Sequence, residues 1–333
     1  MELALIEARK GVGRTAPNPP VGAVIVKNGN LLAVGWHRAA GLPHAEAEAI
    51  AIAKAFPDDL RGSTLYVTLE PCSTQGRTPP CVEAIVRAGI SRVVYACKDP
   101  NPAHLGRANR LLENHGIQVT SGVSEPEAAR LLRPFFKVRQ TGLPWVIWKS
   151  AMSLDGRITR PPGEGQWLTG AAARLDVQHL RAEVDAILTS GETVRRDNPS
   201  LNLREPELIE GRQQPWRVVC SDFPDSISRS AFLFTDAGRS RTLIRPRGGL
   251  AEMLRSLVIN QGILAVLVEA GGVFSAALFE QELIDEVVTY YAPIVCGGPA
   301  PALGGSGLEK PLKLREIEFK RLGNDVRMRG LMH

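Results

Sequence analysis

The chain has 333 residues, 44% of them hydrophobic and 23% charged, with a net charge of +5. This length suits two domains of ordinary size, and the composition excludes a disordered or low-complexity chain. The positive excess is too small for a nucleic-acid-binding face, no apolar run approaches a membrane span, and five cysteines, an odd number, make no disulfide framework.

Residues 3–10 have helical spacing with Gly11 as a stop, and residues 21–26 form an apolar strand. Lys27-Asn28-Gly29-Asn30 predicts a tight hairpin turn, because Asn-Gly tolerates the positive φ such turns demand, and residues 31–36 return as a strand. A helix over 44–55, a strand over 63–69, a helix opened by Pro79-Pro80, a strand over 92–96 and a helix about 108–114 follow. The alternation breaks at Thr141-Gly142-Leu143-Pro144, which sets the expected domains at 1–143 and 144–333. Beyond it come a strand at 145–148, a helix at 171–183, and strands at 186–189, 217–220 and 263–268. The last of these runs into Glu269-Ala270-Gly271-Gly272 and another helix, a turn at which backbone amides can approach a pyrophosphate. A bare strand-to-helix turn explains that feature nearly as well, and no G-x-G-x-x-G fingerprint marks a Rossmann domain. Alternating strands and helices make the chain α/β.

The start has an early acid and too short an apolar run for a secretory signal, so a cytoplasmic protein without membrane attachment is expected. Cys97, Cys220 and Cys296 fit reduced, mostly buried small hydrophobes. Residues 1–143 hold 17 Lys+Arg against 12 Asp+Glu, leaving 23 against 23 for the rest, so the surplus sits in the first half and suits an anionic small molecule.

That half carries His44-Ala45-Glu46, then Pro71-Cys72, then Cys81. One imidazole and two thiolates hold zinc while leaving a fourth tetrahedral position for water, whose pKa the ion lowers. Glu46 is then free to carry protons. The pattern matches the H-x-E…P-C-x-x-C signature of hydrolytic deaminases, except that eight residues separate the cysteines. A structural zinc site is the bland alternative, but such sites close with four protein ligands and no fourth is evident.

Pro17-Asn18-Pro19, Gly41-Leu42-Pro43-His44-Ala45-Glu46, Thr68-Leu69-Glu70-Pro71-Cys72-Ser73, Gly76-Arg77-Thr78-Pro79-Pro80-Cys81 and Asp99-Pro100-Asn101-Pro102 together resemble the deaminase half of the bifunctional riboflavin-biosynthesis deaminase-reductase family. Its reductase half is resembled by Lys149, Ser153-Leu154-Asp155-Gly156, Gln166-Trp167-Leu168-Thr169, Glu192-Thr193 with Asp197, Pro199-Ser200-Leu201 with Arg204, and Val268-Glu269-Ala270-Gly271-Gly272. The resemblance covers nearly the whole chain. It implies a three-layer cytidine-deaminase-like domain that binds zinc, and a dihydrofolate-reductase-like domain that binds NADPH. The implied substrate is a phosphorylated pyrimidine nucleotide, 2,5-diamino-6-(5-phosphoribosylamino)pyrimidin-4-one, which is deaminated and then reduced from ribosyl to ribityl. By the same resemblance Asn18, His37 and Arg77 contact the first substrate. NADPH falls to Ala151, Trp167, Thr193, Asp197, Gly271 and Gly272, and the second substrate to Arg181, Leu201, Arg204 and Glu269. Taken alone, His37 is a satisfied surface histidine and Arg181 a solvated helix residue.

The chain also departs from the family pattern. Thr74 stands where many members have histidine, Ala108 for glycine, Leu132 for asparagine and Gly165 for serine, while Ser221-Asp222 inverts the usual pair. The zinc triad and Glu46 are untouched. The departures in the second half admit an alternative, an active deaminase joined to an impaired or altered-specificity reductase, because Gly165 lacks a hydroxyl for the substrate. A nucleic-acid deaminase would carry C-x-x-C spacing and a basic groove, and a binding protein that keeps zinc structurally would not need Glu46. Quaternary state stays open, a homo-oligomer included.

Overall fold

In the computed structural model, which describes all residues except 56–59, 76–78, 102–104, 166 and 333, the chain divides into two units, Met1–Gly142 and Leu143–His333. The first contains α1 (Glu2–Arg9), β1 (Gly22–Lys27), β2 (Asn30–Trp36), α2 (Ala45–Lys54), β3 (Thr64–Leu69), α3 (Cys81–Ala88), β4 (Arg92–Cys97), α4 (Arg107–Glu113), β5 (Gln118–Ser121) and α5 (Glu125–Thr141). Asn28 and Gly29 both take positive φ, 51° and 80°, so the turn closes β1 onto β2 as its sequence demands. The sheet order is β2-β1-β3-β4-β5; β1 runs antiparallel to both its neighbours, and β3, β4 and β5 are parallel.

Val93 to Cys97 are all buried, and successive side chains of a strand point to opposite faces, so helices must cover both faces of the sheet. Small residues let them approach closely. A Cβ on Gly35 would lie 2.5 Å from the Ala45 carbonyl oxygen, and α2 turns the buried row Ala45, Ala49 and Ala53 inward. Two elements go beyond the sequence pattern: β5, and the 17-residue α5, which runs through Pro134 and buries Ala128, Leu132 and Phe135.

The second unit contains β6 (Trp145–Ser153), α6 (Ala171–Ala182), β7 (Ala186–Ser190), α7 (Gly191–Asp197), α8 (Pro206–Ile209), β8 (Trp216–Cys220), α9 (Phe232–Thr235), β9 (Thr242–Arg245), α10 (Leu250–Gln261), β10 (Ala265–Val268), α11 (Gly272–Glu280), β11 (Glu286–Ala292), β12 (Arg315–Leu322) and β13 (Asp325–Leu331). Its eight strands are ordered β12-β13-β11-β6-β10-β7-β8-β9. The six from β11 to β9 are parallel, and the β12-β13 hairpin closes one edge antiparallel. Strand alternation builds two cores from the same runs: Val146, Trp148, Val266 and Val268 fill one, Ile147, Ala265 and Leu267 the other. Continuous apolar runs are what a parallel sheet covered on both faces requires.

Candidate active site

His44 is the N-cap of α2, Glu46 lies in that helix's first turn, and Cys81 is the first residue of α3. Helix N-termini favour anionic ligands, which suits two thiolates. Cys72, in the segment after β3, meets them: its Sγ is 3.5 Å from His44 Nδ1, Cys81 Sγ is 3.3 Å from the same nitrogen, and the Cys81 backbone N–H donates to Cys72 Sγ at 3.3 Å. All three donor atoms lie within 4.8 Å of one another. Hydrogen bonds from Cys81 and His44 push the Cys72 thiol down to about 4, while the neighbouring sulfur and burial push Cys81 up. Such a cluster stabilises one thiolate at the other's expense and is completed by a cation. The donor set therefore fits zinc.

Glu46 stands outside that set, 3% exposed. Burial pushes its carboxyl up to about 7, against the pull of His44. It borders a cavity of about 340 Å³ that also reaches Asn18, His37, His44, Cys72 and Thr74. His37 is no surface histidine. It is 2% exposed, and burial, the largest influence, lowers its pKa. Its Nδ1 donates to the Pro43 carbonyl at 2.9 Å, which leaves Nε2 to accept from Asn18 Nδ2 at 3.0 Å. That bond turns the Asn18 amide oxygen away from His37 as an acceptor. Arg77 lies outside the described residues.

Two further features of the cavity were not read from the sequence. Glu70 is buried, and its carboxylate accepts from the backbone N–H groups of Asp99, Gly106 and Ala108 at 3.2, 3.1 and 3.3 Å, holding the segment whose Asp99 and Asn101 line the cavity. Phe135 and Arg139, one turn apart on α5, form another part of the wall. Their i, i+4 spacing was the available signal, but it says nothing about which cavity the helix faces.

In the second unit the cofactor candidates stand at or beyond the carboxyl ends of parallel strands, where open α/β sheets bind ligands. Ala151 lies on β6 opposite Tyr290, Thr193 is on α7 just after β7, Asp197 ends that helix, and Gly271 caps α11 just after β10. A Cβ on Gly272 would meet the Pro301 carbonyl oxygen at 2.5 Å, whereas Gly271 faces open space. Trp167 is 53% exposed, under the Arg174 guanidinium.

Arg181 requires a correction. It is 7% exposed and donates to both Glu269 oxygens, at 2.6 and 3.1 Å, and to the Asn202 carbonyl. Lys149 Nζ reaches Glu269 at 3.3 Å from β6. Arg181 is thus neither solvated nor a free cation facing solvent; of the two arginines, Arg204 is the exposed one, its backbone N–H held by Gln178. Leu201 is buried with φ of 45°.

Residues 144–328 match the family model of the RibD C-terminal domain, and residues 1–97 that of the cytidine and deoxycytidylate deaminase zinc-binding region. The riboflavin biosynthesis protein RibD of Escherichia coli K12 is 39% identical over 98% of this chain and 96% of its own. The chain belongs to the RibD family. Acinetobacter baumannii RibD superposes with a TM-score of 0.90 at 38% identity, over all of this chain and 97% of its own. A Thermotoga maritima diaminohydroxyphosphoribosylaminopyrimidine deaminase/5-amino-6-(5-phosphoribosylamino)uracil reductase does so with a TM-score of 0.88 at 32% identity, again over 100% and 97%. The chain is accordingly a bifunctional enzyme of riboflavin biosynthesis, a cytidine-deaminase-like unit followed by a dihydrofolate-reductase-like one, using zinc and a nicotinamide cofactor on small molecules. Among the described residues no helix is long and apolar enough to cross a membrane.

The departures from the RibD pattern find places in this fold. Ala108 and Leu132 are fully buried, and Thr74 lines the cavity. The Ser221 hydroxyl accepts from Phe223 N–H and Asp222 from Arg247 N–H, so each member of the inverted pair anchors a turn. Gly165 takes φ of 90°, a conformation that favours glycine over serine. All five cysteines are free; Cys97 and Cys220 are buried, Cys296 half-buried.

Proposed function

We propose that the first unit deaminates 2,5-diamino-6-(5-phosphoribosylamino)pyrimidin-4-one, and that the second reduces the ribosyl group of the product with NADPH to give 5-amino-6-(5-phosphoribitylamino)uracil, in the cytoplasm and not on nucleic acid. The observation that carries this reading is the convergence of His44, Cys72 and Cys81 beside a buried Glu46 on one cavity.

Those three residues hold zinc, which when bound makes water a nucleophile near neutral pH. Glu46 takes one proton from the attacking water and passes it to the ring nitrogen, then moves the remaining proton of the added hydroxyl to the amine as the C–N bond breaks, so that the carbonyl forms and ammonia leaves. Its burial suits both roles, because a carboxyl whose proton affinity lies near neutrality can accept and release. The Asn18 amide oxygen, oriented by neutral His37, accepts from a substrate N–H, and Arg77 grips the phosphate.

In the second unit the nicotinamide cofactor supplies the reducing equivalent. Gly271 and Gly272 present backbone amides at the head of α11 to its pyrophosphate, and Ala151, Trp167, Thr193 and Asp197 position the rest. Exposed Arg204 takes the sugar phosphate, while Leu201 and the paired Arg181 and Glu269 form a fixed wall for the sugar.

The test follows ammonia release and cofactor oxidation by the purified enzyme with this nucleotide, NADPH and NADH being supplied in parallel, together with zinc analysis. Ammonia released from a protein carrying one zinc per chain, and faster reduction with NADPH than with NADH, is the expected result. Active protein devoid of zinc, or equal use of the two cofactors, would refute the corresponding part.

A further inference from the structure

The deaminase cavity has a cationic side chain to which no role has been assigned. Among the described residues that line it, Arg139 is the one Lys or Arg. It is exposed, and its guanidinium lies over the Phe135 ring at 5.1 Å. Phe135 is only 4% exposed, so the ring is a fixed platform and the arginine above it is preorganised. Among the described residues no carboxylate pairs with Arg139, whereas Arg38, Arg181 and Arg217 all have one. Its place in the last turn of α5 offers a bland explanation, since a cation there complements the helix dipole. That explanation requires neither an aromatic platform nor a position on the wall of the cavity that holds Glu46.

We infer that Arg139 is a specificity-determining residue of the deaminase site, binding the phosphate of the nucleotide substrate and so selecting phosphorylated over unphosphorylated pyrimidine ribosides. The inference rests on the substrate proposed above. A planar guanidinium with free N–H groups recognises a phosphate through paired charge-assisted hydrogen bonds, and stacking on Phe135 leaves those edge groups available. The reacting ring sits at the His44, Cys72 and Glu46 end, so the contact is made by a non-reacting part of the substrate and acts on binding more than on the chemical step.

Arg139→Gln, Arg139→Lys and the native enzyme are compared in ammonia release from the nucleotide and from its dephosphorylated riboside. Arg139→Gln is expected to raise KM for the nucleotide about ten- to hundredfold with kcat nearly kept, the range expected for losing a charged hydrogen-bonding partner. It should leave kcat/KM for the riboside unaltered, and Arg139→Lys should recover part of the loss. An equal loss on both substrates, or no loss on the nucleotide, overturns the inference, and unchanged thermal melting separates either outcome from misfolding. Failure of the native enzyme to release ammonia from both compounds counts against the proposed reaction itself, and the inference falls with it.

Discussion

The two sites are built in opposite ways. In the deaminase unit the candidate residues are few and close together: His44 and Glu46 at the start of α2, Cys81 at the start of α3 and Cys72 just after β3, the His44, Cys72 and Cys81 donor atoms lying within 4.8 Å of one another. In the reductase unit the candidate residues are spread from Ala151 to Gly272 over the ends of separate strands, and two of them, Arg181 and Glu269, are already paired with each other, Lys149 sharing the same carboxylate. A metal centre needs a few donors at fixed short range, which two helix starts and the end of one strand can supply. A site for a long cofactor needs a surface, and only sheet topology makes one. The first site should therefore fail through single functional groups, and the second through its packing and buried charge.

The largest effect expected is on Glu46. Glu46→Gln should retain zinc and lower deamination by about 10²- to 10⁴-fold, the span typical of a proton-transferring group, while NADPH oxidation with the deaminated intermediate stays intact. Mixing this variant with Arg204→Ala should restore the full conversion through diffusion of the intermediate. A mixture that does not, with both proteins folded by circular dichroism, would show the two sites to be dependent on each other.

The next concerns Glu269, where the second site should break structurally. Removing one partner of a buried ion pair costs about 3–5 kcal/mol, so Glu269→Ala should lower the melting temperature of the reductase unit and spare ammonia release. The same pair fixes an acid limb. Burial alone would raise the Glu269 pKa, but Arg181 and Lys149 overcome it and hold it at about 2, below its ordinary 4.5. A depressed carboxyl stabilises the fold above the unfolded value, and that contribution, on the order of 3 kcal/mol, is lost as pH falls from about 4.5 toward 2. Denaturant midpoints across that range should drop less steeply in Glu269→Gln than in the native protein.

Smaller effects should separate the two glycines at the head of α11. Gly272→Ala forces a Cβ against the backbone of Pro301 and Gly304, at a cost of about 1–3 kcal/mol and with weakened NADPH binding, whereas Gly271→Ala has room in the free protein and should alter only the cofactor dissociation constant. Smallest is Gly165→Ser. Restoring the family's serine at φ of 90° costs about 1–2 kcal/mol of backbone strain, so the Michaelis constant for the nucleotide should stay the same or rise. A lower value would show that the turn relaxes and that the hydroxyl contact is within reach.

Local patterns carried much of this molecule. The Asn28-Gly29 turn, the helix starts at His44 and Cys81, and the apolar runs that became β1, β3, β4, β7, β8 and β10 all follow from backbone preferences and periodicity acting over a few residues. His44, Cys72 and Cys81 were equally legible as a set, because their residue types and spacing mark them, and the fold brings their donor atoms within 4.8 Å of one another. What stayed hidden depends on distant partners. The helix α5 continues past Pro134, a residue that normally argues for a stop, and its buried face is decided by the sheet beside it. The outer strand β12 is exposed along almost its whole length and is defined only by its hydrogen bonds to β13.

The same division separates readable residue types from readable roles. That Glu46 is an acid two residues from His44 is a fact of the sequence; that it is buried, with its carboxyl pushed up toward neutrality, is a fact of packing. Arg181 and His37 look like surface residues in one dimension, yet each is desolvated by chain from elsewhere, and desolvation changes what a charge or a ring nitrogen can do. The order of residues along the chain set which groups are on hand, an imidazole, two thiols and a neighbouring carboxyl in one half and a glycine-headed helix in the other. Which charges are already paired, which stand free, and that Arg139 faces the cavity that holds Glu46 follow from folding, because burial and pairing are properties of neighbours far apart along the chain.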